Sequence, residues 1–158
     1  MGEIYCIYDN DKYVADVEDN TIEITRREYK NGFENYVDVA GNVHDDIFIK
    51  YLKLKDVSEV YEEDVQIKYN NNFFELYGDK IFKKNVLENS YMIYTNSEEL
   101  ASKYGFEKKE QFVFYKYITL EMIEAIKVVR TYIKPKRRKE MENILQGKEI
   151  LNYLEKIE

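Results

Sequence analysis

A chain of 158 residues fits one ordinary domain and can bury roughly two-thirds of its unfolded surface, so it needs no disulfide or metal staple. Its single cysteine excludes an internal disulfide, and a net charge of −7 argues against a dedicated nucleic-acid-binding domain, which is ordinarily basic overall. No apolar run is long enough to span a membrane, and Met1-Gly2-Glu3-Ile4-Tyr5 carries no basic, apolar leader, so the chain reads as cytoplasmic.

Short strands fill the first two-thirds. Residues 3–8, 12–17 and 21–26 are β-branched and aromatic runs joined by Asp9-Asn10-Asp11 and Glu18-Asp19-Asn20, a meander with Asx-rich turns. In the third run Ile22 and Ile24 alternate with Thr21, Glu23 and Thr25. Asn31-Gly32 and Gly41-Asn42 mark turns around a short strand at 36–39. Residues 46–55 are apolar on both faces and read as a central strand. Further strands are expected at 64–69, 73–77, 80–82, 91–95 and 111–118. Tyr8 to Ala15 echoes Tyr69 to Leu76 at a spacing of 61 residues. Asx hairpins resemble one another readily by chance, so this likeness is read as coincidence rather than duplication.

Helices are expected later. Ser97 caps a short helix over 97–104 with Glu98 and Glu99 in its first turn, and Gly105 stops it. From Thr119, Met122, Ile126, Val129 and Ile133 fall on a helical stripe that Pro135 ends. Lys136 to Ile157 reads as a second C-terminal helix, with Met141, Ile144, Leu145, Leu151 and Leu154 on its apolar face. The expected fold class is α+β. A single domain spans 1–158: a mainly antiparallel β body at 1–118 built of meanders and hairpins, with two C-terminal helices at 119–158 packed on the sheet.

Charge is uneven along the chain. Residues 1–110 hold 24 acidic and 14 basic side chains, whereas 111–158 hold 7 acidic and 10 basic. The acidic extreme is Glu59, Glu62, Glu63 and Asp64, expected on an exposed loop where it could engage a basic partner. The basic extreme runs through Lys127, Arg130, Lys134, Lys136, Arg137, Arg138 and Lys139. Lys134, Lys136, Arg137, Arg138 and Lys139 are the candidate phosphate or nucleic-acid contacts, although a solvated helix end explains them as well.

Nucleophile elbows, phosphate-cradling glycine clusters and zinc spacings are absent, and no cofactor or metal is expected. Cys6 reads as a small buried core residue. His44-Asp45-Asp46 follows a Gly-Asn turn and reads as loop rather than metal site. Phe112, Phe114, Tyr115 and Tyr117 read as a core strand rather than a base-stacking platform.

The functional expectation is a non-enzymatic, protein-binding inhibitor or immunity-type factor, of phage or mobile-element character, that occludes a basic or nucleic-acid-binding site on its partner. It rests on small size, acidity, abundant tyrosine for interface anchors and missing catalytic groups. Two rivals stand beside it: a nucleic-acid-associated regulatory factor using the basic C-terminal segment, and a small-molecule or nucleotide-binding domain with hydrolase chemistry. A homodimer through the C-terminal helices is a further expectation.

Overall fold

The computed structural model describes residues 2–138 and 140–157. The chain gathers into two compact units, one of Glu3–Glu63 and Thr131–Glu140, the other of Met1–Gly2, Asp64–Arg130 and Met141–Glu158. The chain thus passes between units at Glu63/Asp64, Arg130/Thr131 and Glu140/Met141. We call them the first and second units.

The first unit holds β1 (Glu3–Tyr8), β2 (Asp11–Glu18), β3 (Thr21–Arg26), β4 (Glu34–Val37), β5 (Val43–Lys53), a 3₁₀ turn at Leu54–Asp56 and the start of β6 (Glu59–Tyr69). Its strand order is β4-β5-β3-β2-β1-β6 and every pairing is antiparallel. The second unit continues β6 into β7 (Asn72–Leu76), α1 (Lys83–Glu88), β8 (Tyr91–Thr95), α2 (Glu98–Tyr104), β9 (Glu107–Glu110), β10 (Val113–Ile118), a 3₁₀ turn at Leu120–Met122 and β11 (Ala125–Lys134). The chain finishes with β12 (Glu140–Leu145) and α3 (Lys148–Glu155). The pairings β9-β10-β8-β7-β6-β11 repeat the order of the first unit, strand for strand.

The repetition reaches individual contacts. Asp9-Asn10 and Asn70-Asn71 both take positive φ in two-residue turns that pair Tyr8 with Asp11 and Tyr69 with Asn72, the backbone that the tightest hairpins require and that Asn and Asp tolerate. Ala15 lies opposite Ile24 as Leu76 lies opposite Ile93. Ile22 faces Leu52 as Tyr91 faces Ile118. The amide of Ser58 donates to Ile7 O at 3.1 Å, and that of Glu124 donates to Lys68 O at 2.9 Å, at the matching points where β6 and β11 begin. Gly32-Phe33-Glu34 recurs as Gly105-Phe106-Glu107; Phe33 packs on Tyr13 at 5.6 Å between ring centroids, and Phe106 on Phe74 at 5.0 Å. Chance likeness of two turns does not produce this agreement in topology, register and core. The echo at 61 residues is therefore the visible end of a tandem repeat, and reading it as coincidence is corrected.

Each unit has its own core. Cys6, Tyr13, Ala15, Ile22, Ile24, Phe33, Leu52, Val57 and Val60 form the first. The second is larger, because Leu145 and the inward face of α3, Ile150 and Leu154, join Val65, Ile67, Phe74, Ile93, Ile118 and Ile126. Burial pushes the Cys6 thiol up to about 11, against a smaller opposing pull from the Lys134 ammonium. The thiolate is the reactive form. Cys6 is therefore expected to stay silent to a disulfide reagent at pH 8 in the native protein and to react fully in denaturant; rapid native-state labelling would contradict this.

The mainly antiparallel sheet and the α2 helix agree with the sequence expectation, down to Ser97 Oγ accepting the Leu100 amide at 3.2 Å and Gly105 closing the helix at φ 74°. The two C-terminal helices do not. Residues 125–134 are β11, because the run is dominated by Ile126, Val128, Val129, Thr131 and Ile133, whose branched side chains suit a pleated surface. The stripe of Met122, Ile126, Val129 and Ile133 is real in the sequence, but strand pairing overrides it. Lys136 to Ile157 divides into β12 and α3, and Gly147 is the N-cap of α3 rather than an interior residue. The strand expected at 80–82 does not form; that segment leads into α1. No helix among the described residues is long and apolar enough to cross a membrane.

Candidate functional site

Alternation along two adjoining strands assembles the site. In β2 and β3, Tyr13, Ala15, Ile22 and Ile24 point into the first core, so Asp16, Glu18, Thr21 and Glu23 must point outward. Register places Asp16 opposite Glu23 and Glu18 opposite Thr21, with Tyr51 of β5 beside Glu23. With Asp19 of the intervening turn these side chains line an open recess of about 280 Å³. Four carboxylates thus surround the exposed ring of Tyr51, and no lysine or arginine lines the recess. Like charges directly across strands repel. An acidic patch of this kind costs stability that a basic partner would return.

The acids singled out from sequence lie elsewhere. Glu59, Glu62, Glu63 and Asp64 sit within β6, not on an exposed loop. The alternation Val60-Tyr61 through Val65-Ile67 extends the strand backward, and pairing with β1 absorbs it. Glu63 is 6% exposed, Glu62 and Asp64 are half-buried, and Glu59 accepts from Arg138 at 3.3 Å. The outward acids were legible in principle: exposed Asp16 and Glu18 and half-buried Glu23 occupy the polar positions of two alternating strands joined by a short turn.

The basic block is largely occupied by the fold. Lys134 Nζ donates to Leu54 O at 2.9 Å and to Val57 O at 2.6 Å, clasping the 3₁₀ turn of the first unit. Arg138 stacks over Tyr132 at 5.1 Å besides meeting Glu59. Lys127 lies over the Phe73 ring at 4.4 Å. Lys136 and Arg137 are exposed in the turn between β11 and β12, and Lys139 lies outside the described residues. The basic and acidic extremes meet at the pair Arg138–Glu59.

His44 serves the β4–β5 hairpin. Its Nε2 lies 3.0 Å from Asp38 Oδ2, Asp46 is 4.0 Å from Nδ1, and the ring packs on Tyr36 at 5.3 Å. Asp38 also accepts the amides of Ala40 and Asn42. The His44 hydrogen bond, then the Asn42 amide, hold the Asp38 carboxyl below the ordinary aspartate value. No group of three or more potential metal-ligating side chains occurs among the described residues. Phe112, in the turn before β10, and Tyr117 of β10 are 70% and 60% exposed, so that segment is not the core strand expected. It borders β9 and β8, and the Tyr115 hydroxyl donates to Glu107 at 2.7 Å.

No curated protein and no solved structure matches the chain. One family model does, over residues 2–136, a span that takes in both repeats through β11 and ends before β12. On that match the chain belongs to the family described as uncharacterised conserved protein UCP033725.

Proposed function

We propose that this protein is a non-enzymatic binding module whose first unit presents its acidic recess to a basic surface on another protein, acting as an inhibitor or immunity-type factor. The observation that carries the reading is the grouping of Asp16, Glu18, Asp19 and Glu23 around exposed Tyr51 without a neighbouring cation in the recess. Unpaired surface acids accelerate encounter with a basic partner, and an exposed tyrosine supplies a rigid anchor at low entropic cost. The partner-binding role moves from the β6 acids to these residues, because Glu59 is paired and Glu63 is buried. Occlusion of a basic active site or nucleic-acid channel is the mechanism that this chemistry fits.

Among the described residues of its segment, the nucleic-acid rival rests on Lys136 and Arg137, since Lys134 and Arg138 have partners within the fold. The triple charge reversal Asp16→Lys, Glu18→Lys, Glu23→Lys tests the proposal. These side chains are outward, so circular dichroism should match the parent. A partner captured from host extract by the parent at low salt should be released at high salt and lost with the triple variant. Equal capture by both proteins would overturn the assignment.

A further inference from the structure

Three strands have a single partner among the described residues: β4, β9 and β12. Exposed strand edges present unpaired amides and carbonyls to any chain of suitable shape, and proteins ordinarily protect them with short length, bulges or charge. Two of the three are protected. β4 has four residues and an irregular register opposite β5. β9 is Glu-Lys-Lys-Glu, fully exposed, with a register shift opposite β10. β12 is the least protected: it is longer than either, and its only charges are Glu140 and Glu142. It runs for six residues, Glu140-Met141-Glu142-Asn143-Ile144-Leu145, with no lysine or proline, and its first five residues are exposed. Met141 and Ile144 are about half exposed.

We propose that the free edge of β12 pairs antiparallel with β12 of a second copy of this chain, forming a two-fold symmetric dimer. The sequence of the strand selects both the occupant and the register. A two-fold axis perpendicular to the sheet keeps each face of one strand on the same face as its mate, so the axis must pass through a residue. Centring on Glu142 would set two carboxylates directly opposite each other, which is destabilising. Centring on Asn143 sets two amides opposite each other, Met141 against Leu145, and Glu142 against Ile144. This register opposes no like charges, brings apolar side chains together across the strands, and lets the Asn143 amides hydrogen-bond. Centring on Ile144 also avoids opposed carboxylates but pairs only residues 143–145 of the strand, so the Asn143 register is the longest one allowed. The edge gains main-chain hydrogen bonds, the usual source of affinity in strand addition. The dimer expected from C-terminal helices is thereby relocated, since Met141 and Ile144 lie on a strand.

Light scattering on the full chain tests this. The parent should show twice the chain mass of 19.1 kDa at about 100 µM, a concentration at which a modest self-association is populated. Asn143→Lys and Asn143→Asp each put like charges across the axis, and each alone should be monomeric with unchanged circular dichroism. An equimolar mixture of the two should recover the dimer at low salt and lose it at high salt. A monomeric parent, or dimers that persist in either single variant, would overturn the proposal. Failure of the mixture to recover the dimer would overturn the register.

Discussion

Ile24→Ala and Ile93→Ala are each expected to destabilise the protein by about 2–5 kcal/mol, the cost of deleting a buried aliphatic side chain whose cavity collapses only in part. The two isoleucines hold equivalent places in the repeat. Both are fully buried; Ile24 sits on β3 between Ala15 and Lys50, and Ile93 on β8 between Leu76 and Lys116. A loss of this size is a large share of the roughly 5–15 kcal/mol that holds a domain folded. Each variant should lower the urea midpoint without changing the slope. Sixteen tyrosines without tryptophan make tyrosine fluorescence the natural probe. Because β6 and β11 each contribute residues to both units, one cooperative transition is expected, displaced alike by either substitution. Two transitions, only one of which moves in each variant, would show that the repeats unfold separately.

The repeat explains what the sequence made legible and what it did not. Turn chemistry was readable because it is local: Asp9-Asn10 and Asn70-Asn71 announce tight hairpins by residue type alone. So was α2, whose cap, first-turn acids and terminal glycine all lie within nine residues. Residues 119–134 misled because their apolar positions fit a period of 3.6 as well as strand alternation. What decides between them is a partner, β6, more than 50 residues upstream. The equivalence of this segment to the first part of β6 would have settled it, but that equivalence shows in backbone contacts such as Ser58–Ile7 and Glu124–Lys68 rather than in residue identity. The loop placement of Glu59 to Asp64 was wrong for a related reason. Clustering along the chain picked out Glu59 to Asp64, whereas clustering in space follows cross-strand register. Register joins Asp16 to Glu23, and Glu23 to Tyr51, across separations that a linear scan does not group.

Lys134→Met should cost about 2–4 kcal/mol, more than any other single change in the basic block. A charged donor contributes roughly 1.5–3 kcal/mol per hydrogen bond, and its loss here falls chiefly on Val57 O, because Leu54 O also accepts the Val57 amide at 3.4 Å. Lys134 supplies two such bonds, to Leu54 O and Val57 O, at either end of the 3₁₀ turn that passes β5 into β6. The Leu54 amide at the start of this turn donates to Asn20 O at 2.9 Å, and the second unit has the matching bond. Its equivalent turn is tied by Asn89 Oδ1, which accepts the Leu120 amide at 2.8 Å. The Lys134 ammonium therefore adds two donors, to the carbonyls at the ends of the first unit's turn, to a backbone-amide tie that both repeats share. Methionine keeps the apolar stem and removes only the donor, so thermal melts report the two hydrogen bonds with little packing change. Lys136→Met, in the exposed turn two residues on, should be neutral within about 0.5 kcal/mol. Equal melting temperatures for the two variants would show that Lys134 is a surface charge after all, and would return it to the set of cations available to a phosphate.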